Sequence, residues 1–245
     1  MLPGLYSAAT GLEVATRNQE IISHNLAHVS VPGFRRSVVS FESFEAAVQQ
    51  ERLDTLTSNS GTVSDTEHID FTPGAYSQTG RKLDVAIQGD GFFSIDGPDG
   101  PLYTRRGSFQ VSATGQLVNQ EGFPVRGAGG LIQLPADVAS EQIEIATNGQ
   151  IRYQGGVVGQ LELTAFQDNQ QLIPAGTTLF EAGPNAVISD VEVEVAQGVR
   201  ELSNVAPMQE LVRMIIGMRF YEMSTKAMNA LDTAIQRSSD PTQGG

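Results

Sequence analysis

The residues best suited to chemistry are two histidines, His24 and His28, four apart, so that both imidazoles would fall on one face of a helix. Helical zinc sites use that spacing with a glutamate after the first histidine as general base, but here the next residue is Asn25. The chain has no cysteine, which excludes thiolate ligands, thiolate nucleophiles and disulfides. Both histidines therefore read as polar contacts at a helix end. Asp84, Asp90, Asp96 and Asp99 cluster in sequence, yet their spacing does not fit an EF-hand loop, and turns of a β domain account for them. Two carboxylates flanking a cleft could hydrolyse a glycosidic bond, but any two acids meet that requirement. There is no phosphate-binding glycine loop and no recognisable motif for a Ser, His and acid trio. Arg105-Arg106 reads as a solvated or intersubunit pair in a strand. No residue is assigned to catalysis, to a cofactor or to a metal, and no small-molecule substrate is expected.

Charge carries more information. Residues 42–199 hold 21 acids and 7 bases, a net −14, whereas the two ends together hold 7 acids and 8 bases. An acidic body offers no phosphate-binding patch, so nucleic acid is not an expected partner. The body also repels itself while the neutral ends are free to associate. With 40% apolar and 18% charged residues in 245, the chain has the composition of a globular protein of one or two domains. No apolar run approaches the roughly 18 residues that a membrane span needs, so no membrane insertion is expected. Met1 to Ala15 lacks a basic stretch followed by an apolar one, and no cleavable signal peptide is expected there.

The elements that must position these groups begin with a long helix, Asn204 to Arg237, carrying fourteen large apolar side chains. At about 100° per residue, Met208, Leu211, Val212, Ile215, Ile216 and Met218 form one stripe, with Gln209, Glu210, Arg213 and Gly217 opposite. Beyond Gly217 the stripe changes sides to Tyr221, Met228, Leu231 and Ile235. Five of the six methionines lie here, and methionine tolerates varied packing partners. Burying one face alone falls short of the entropy lost in ordering such a helix. A helix with two oppositely directed apolar faces needs several neighbours. The other end is similar: Pro3 opens a helix in which Leu5, Ala8, Leu12, Ala15, Gln19, Ile22, Leu26 and Val29 alternate spacings of three and four, a coiled-coil seam with thin apolar content. Val31-Pro32-Gly33 stops it.

The run from Ser23 to Phe34, with Asn25-Leu26-Ala27-His28 and then Pro32-Gly33-Phe34, resembles the signature that ends the first helix of flagellar rod and hook axial proteins. His28 stands where that family usually has Asn, and Val31 where it has Thr. The middle resembles the family too: LDVAIQGDGFF at 83–93, YTRRGSFQV at 103–111, TGQLV at 114–118 and GFPV at 122–125 keep the order of the rod-protein core. Glu201-Leu202-Ser203-Asn204-Val205 matches the lead-in to the last helix, with Ser203 or Asn204 as its cap.

Residues 35–80 are poor in large apolar groups and read as an extended connector with Phe41, Phe44, Ile69, Phe71 and Tyr76 as docking points. From Leu83 the pattern is β, with Leu83 to Ile87 and Phe92 to Ile95 flanking the tight turn Gln88-Gly89-Asp90-Gly91. Further strands are expected through Gln160 to Phe166, Thr178 to Phe180 and the alternating segment from Ile188 to Val195.

The expected fold is α+β: a compact β-rich central domain, with N- and C-terminal helices pairing as a coiled-coil-like element, joined by an extended connector. The expected division is 1–34, first axial helix and turn; 35–80, connector; 81–195, β-rich outer domain; 196–245, last axial helix. The resemblance implies a non-enzymatic rod subunit, polymerising through its terminal helices around an export channel and transmitting torque. It implies partners among copies of itself, neighbouring rod and hook axial proteins and the flagellar export apparatus, with type III export to a periplasmic rod. The subunit-interface residues would be Leu5, Leu12, Ile22, Asn25, Leu26, Val29, Met208, Leu211, Ile215, Met218, Tyr221, Met228, Leu231 and Ile235. The chain is short for a hook subunit. Two other classes compete: a rod-associated peptidoglycan hydrolase, which requires an essential carboxylate pair in a cleft, and an adhesive β module with terminal coiled coils, which would not keep all three motifs.

Overall fold

The computed structural model describes residues 2–42, 64–135, 140–189 and 193–239, with side chains described at 11–39, 67–135, 140–189, 193–230 and 233. The architecture is α+β, with a β-rich core and two long helices, α1 (Leu2–Ala27) and α2 (Pro207–Ser239). The chain divides into two compact units: one of Met1–Ala27, Ser37–Asp70 and Ala206–Gly245, the other of His28–Arg36 and Phe71–Val205.

In the first unit the two helices run alongside each other. At Gly217 of α2 an added Cβ would lie 3.0 Å from Oε1 at the end of the Gln19 side chain of α1. Ala15, Ile21 and Ile22 of α1 are buried, and Leu12, Gln19 and Leu26 are half-buried. The seam expected through Val29 ends sooner. The helix stops at Ala27, and Val29 sits in the turn that follows, where the Val31 N–H donates to the His28 carbonyl at 3.0 Å. Part of the segment read as an extended connector is paired: Ser37–Glu42 lies antiparallel to Ser64–Ile69, with Ser37 opposite Ile69 and Glu42 opposite Ser64. Ile69 is buried, the Phe41 side chain is not among those described, and Phe44 lies outside the described residues.

The second unit is built on a six-stranded antiparallel sheet in the order Leu172–Pro174, Leu179–Ala182, Pro101–Thr104, Phe92–Asp96, Leu163–Phe166, Ile188–Ser189. A three-stranded sheet of Ile143–Ile145, Gln150–Tyr153 and Gly156–Gln160 accompanies it. The core of this unit draws on both sheets and on neighbouring segments: Val85, Ile87, Phe93, Ile95, Phe109, Leu117, Ile143, Ile151 and Val195 are essentially inaccessible to solvent. Phe71, one of the expected docking points, packs with Phe92 and Phe180 at centroid distances of 5.8 and 5.4 Å.

The turn at Gln88 to Gly91 does not close a hairpin. Val85–Gln88 pairs with Glu194–Gln197, while Phe92–Asp96 pairs with Pro101–Thr104, so the turn passes the chain from one sheet to another. Gly89 at φ 88° supplies the left-handed backbone such a passage needs. Of the alternating segment from Ile188 to Val195, Val191 and Glu192 lie outside the described residues, and Val195 is buried beside exposed Glu194. Val199–Glu201 then pairs with Tyr76–Gln78, which keeps the chain in the second unit up to Val205.

The start of α2 also differs from the expected one. It opens at Pro207, whose missing N–H would have no intrahelical partner in the first turn, and the Glu210 N–H donates to the Ala206 carbonyl at 3.0 Å. Neither Ser203 nor Asn204 caps the helix. The Ser203 hydroxyl accepts from the Val205 N–H at 3.2 Å, and Asn204 ties two other segments, accepting from the Arg36 N–H at 2.8 Å and donating to the Thr72 carbonyl at 3.1 Å. Asparagine is used here as a cross-link because its amide both donates and accepts.

Candidate assembly surface

α2 buries the side the sequence would leave in water. Glu210 is 1% exposed, Gly217 is buried, and Met214, Ser224, Thr225 and Met228 are half-buried, a row at helical spacing. The first apolar stripe faces outward: Met208 is 73% exposed, Ile216 61%, Ile215 53%, Val212 52%, Met218 50% and Leu211 40%. Glu210 is held by an ion pair of 2.9 Å with Arg213 one turn on. Tyr221 of the second stripe is also exposed, whereas the side chains of Leu5, Leu231 and Ile235 are not among those described. Contiguous exposed apolar surface of this kind marks an interaction face rather than a core.

Apolar grooves run along both flanks of Gly217. One, of about 340 Å³, is lined by Ala15 and Ile22 of α1 with Ile216 and Phe220 of α2; the other, of about 770 Å³, by Gln19 and Ser23 with Met218 and Tyr221.

Asn25 has a different setting from the apolar residues expected beside it. It is 2% exposed; its amide donates to the Ser37 carbonyl at 2.8 Å and its oxygen accepts from the Ser37 N–H at 2.9 Å. The same helix is tied to the ribbon again by Arg17 and Glu67 at 2.8 Å. Asn25→Ala strands both backbone groups of Ser37 and is expected to cost about 1–3 kcal/mol. Denaturant unfolding of the purified chain should show that loss, with faster hydrogen exchange at the Ser37 amide; an unchanged midpoint would contradict it.

The second unit holds the polar cluster the sequence did not reveal. Arg105 is not solvated. It is 1% exposed, lies past the end of its strand, and places its guanidinium 5.2 Å from the centroid of Phe92 and 3.6 Å from Glu201 Oε2. Burial pushes its pKa below the ordinary arginine value, and the Glu201 carboxylate opposes that shift. Arg106 is half-buried and pairs with Glu121 at 3.2 Å and with Gln120. His28 stacks on Phe34 with centroids 5.0 Å apart, so at this departure from the family signature the side chain packs as an aromatic ring.

Buried polar groups join distant segments of the chain, while large apolar groups stand out on a helix. Comparison with known proteins is specific. Residues 86–153 match the family described as flagellar hook protein FlgE/F/G D1 domain, and residues 196–240 match flagellar basal body rod FlgEFG protein C-terminal. The chain is 38% identical to flagellar basal-body rod protein FlgG of Buchnera aphidicola from Acyrthosiphon pisum, over 98% of this chain and 99% of that protein. It is 30% identical to FlgG of Bacillus subtilis, over 96% and 97% of the two chains, and 34% identical to FlgF of Salmonella typhimurium, over 93% of each. The chain belongs to the flagellar basal-body rod protein family, a family of structural proteins of the flagellar basal body rather than of enzymes.

Proposed function

We propose that this protein is a structural subunit of the bacterial flagellar rod that polymerises through its terminal helices to form the torque-transmitting shaft around the export channel. The observation that carries the reading is the outward stripe of Met208, Leu211, Ile215 and Met218 on α2, contiguous apolar surface left exposed in the single chain. In this reading α1 and α2 pair as a coiled-coil-like axial element spanning 1–34 and 196–245, with 35–80 as connector and 81–195 as outer domain. The stripe, together with Leu5, Leu12, Leu26, Val29, Tyr221, Met228, Leu231 and Ile235, meets copies of the chain and neighbouring rod and hook axial proteins, whereas Ile22 and Asn25 are already buried in the isolated chain. The subunit reaches the periplasmic rod through the flagellar type III export apparatus.

A functional tagged copy tests this directly. It should co-purify with intact basal bodies and resist salt washing, as an apolar interface does. A motile strain whose purified basal bodies lack the tagged chain would refute the reading.

A further inference from the structure

Three side chains of the second unit form an ionic cluster sealed from water: Arg35, Arg105 and Glu201 are 0%, 1% and 0% exposed. Glu201 Oε1 accepts from the Arg35 guanidinium at 2.5 Å and from the Gly74 N–H at 2.9 Å, and Oε2 lies 3.6 Å from Arg105. The Glu201 backbone carbonyl accepts from the Gly33 N–H at 3.0 Å. One residue thus gathers the segment that follows α1, the strand-like stretch at Gly74, the end of the strand at Thr104, and the segment that precedes α2.

As a source of stability the cluster is poor. Two cations face one buried carboxylate, and the nearest other acid, Asp90, is 77% exposed and 4.0 Å from Arg105. Nε and one terminal nitrogen of each arginine have no hydrogen-bond partner among the described residues. Comparable buried ion triads can be replaced by apolar side chains of similar volume with no loss of stability or with a gain. What the cluster supplies instead is placement, because Glu201 Oε1 is shared by one Arg35 nitrogen and the Gly74 N–H and the Glu201 carbonyl takes the Gly33 N–H, directional bonds that admit few geometries, whereas apolar contacts tolerate sliding.

We propose that Arg35, Glu201 and Arg105 act as an alignment lock, holding the chain that leaves α1 in one register against the chain that leads into α2. The lock is a property of the second unit alone; only its consequence for assembly rests on the rod reading above.

The test is the full-length triple variant Arg35→Met, Arg105→Met, Glu201→Gln, in which the glutamine oxygen still faces the Gly74 N–H. Its melting temperature should equal or exceed that of the wild type. The Gly33 and Asn204 amides should exchange at least about tenfold faster while Val85 to Gln88 keep their protection. Incorporation into basal bodies should be lost. Arg35→Lys, which keeps the charge on a shorter side chain lacking the guanidinium group, should loosen the same two amides to a smaller degree. A collapsed melting temperature, or wild-type protection at Gly33 and Asn204, overturns the lock. Loosened amides in a variant that incorporates normally overturn its role in assembly. Absence of the wild-type chain from basal bodies overturns the rod reading and leaves the exchange result standing.

Discussion

Ile215→Asp is expected to abolish assembly and to leave the purified chain as stable as the wild type. Ile215 is 53% exposed in the middle of the outward stripe, so in the isolated chain a carboxylate there stays hydrated and displaces nothing. Between copies the same carboxylate would be buried among Leu211, Val212 and Met218 or their counterparts. Burying an unpaired charge in such surroundings costs several kcal/mol, and about 4 kcal/mol is roughly a thousandfold in an association constant. Motility and incorporation into basal bodies should both disappear, with a melting temperature within about 2 °C of the wild type. Gln209→Glu, an exposed position off the stripe in the first turn of α2, should be tolerated, since a negative charge there favours the helix. The outward stripe loses its role if Ile215→Asp assembles, or if it lowers the melting temperature as far as a core substitution would.

Periodicity was enough to locate both helices and to find two apolar faces on α2, but it could not say which face packs inside the unit. Six large apolar side chains make the more obvious buried stripe, yet Glu210 and Gly217 are the buried positions. The choice is set by the contact with α1, where an added Cβ at Gly217 would meet only the Gln19 side-chain amide, and a periodic pattern within one helix carries no record of its neighbour. Similarly, Leu83 to Ile87 and Phe92 to Ile95 are legible as strands because each is a short apolar run bounded by turn residues. Their partners are not legible, because pairing of Val85–Gln88 with Glu194–Gln197 is a contact between residues far apart in the chain.

Arg105 shows the limit most sharply. It stands beside Arg106, of identical type, and nothing local tells the buried one from the half-exposed one. Its environment is set by Glu201 and Phe92, brought in from other strands. A signal did exist in Glu201 itself, a lone acid just before the last helix within a motif the sequence shares with its family, but that position read as part of a helix lead-in. Asn204, read as a cap, proves to be a cross-link between Arg36 and Thr72 for the same reason.

Gly33→Ala should be considerably more damaging than Gly80→Ala. Both glycines hold left-handed backbone, at φ 72° and 73°, so the conformational strain of an added methyl is the same at each. That strain costs an L-residue roughly 1–2 kcal/mol. Around Gly80 a new Cβ meets nothing within 4 Å. At Gly33 it would stand 2.5 Å from the Arg106 nitrogen, 2.7 Å from the Arg106 Cα and 2.8 Å from the Arg105 carbonyl carbon. These are backbone atoms and cannot rotate aside, so the turn must lift from the strand end and pull the Gly33 N–H away from the Glu201 carbonyl. Overpacking against a fixed neighbour adds about 1–3 kcal/mol. The total for Gly33→Ala is then about 2–5 kcal/mol, a fall of roughly 4–20 °C in melting temperature, against about 2–8 °C for Gly80→Ala. Thermal unfolding of the two purified variants measures the difference directly. Equal falls would mean that Gly33 is retained only for its backbone angle and that the turn does not rest on Arg105 and Arg106.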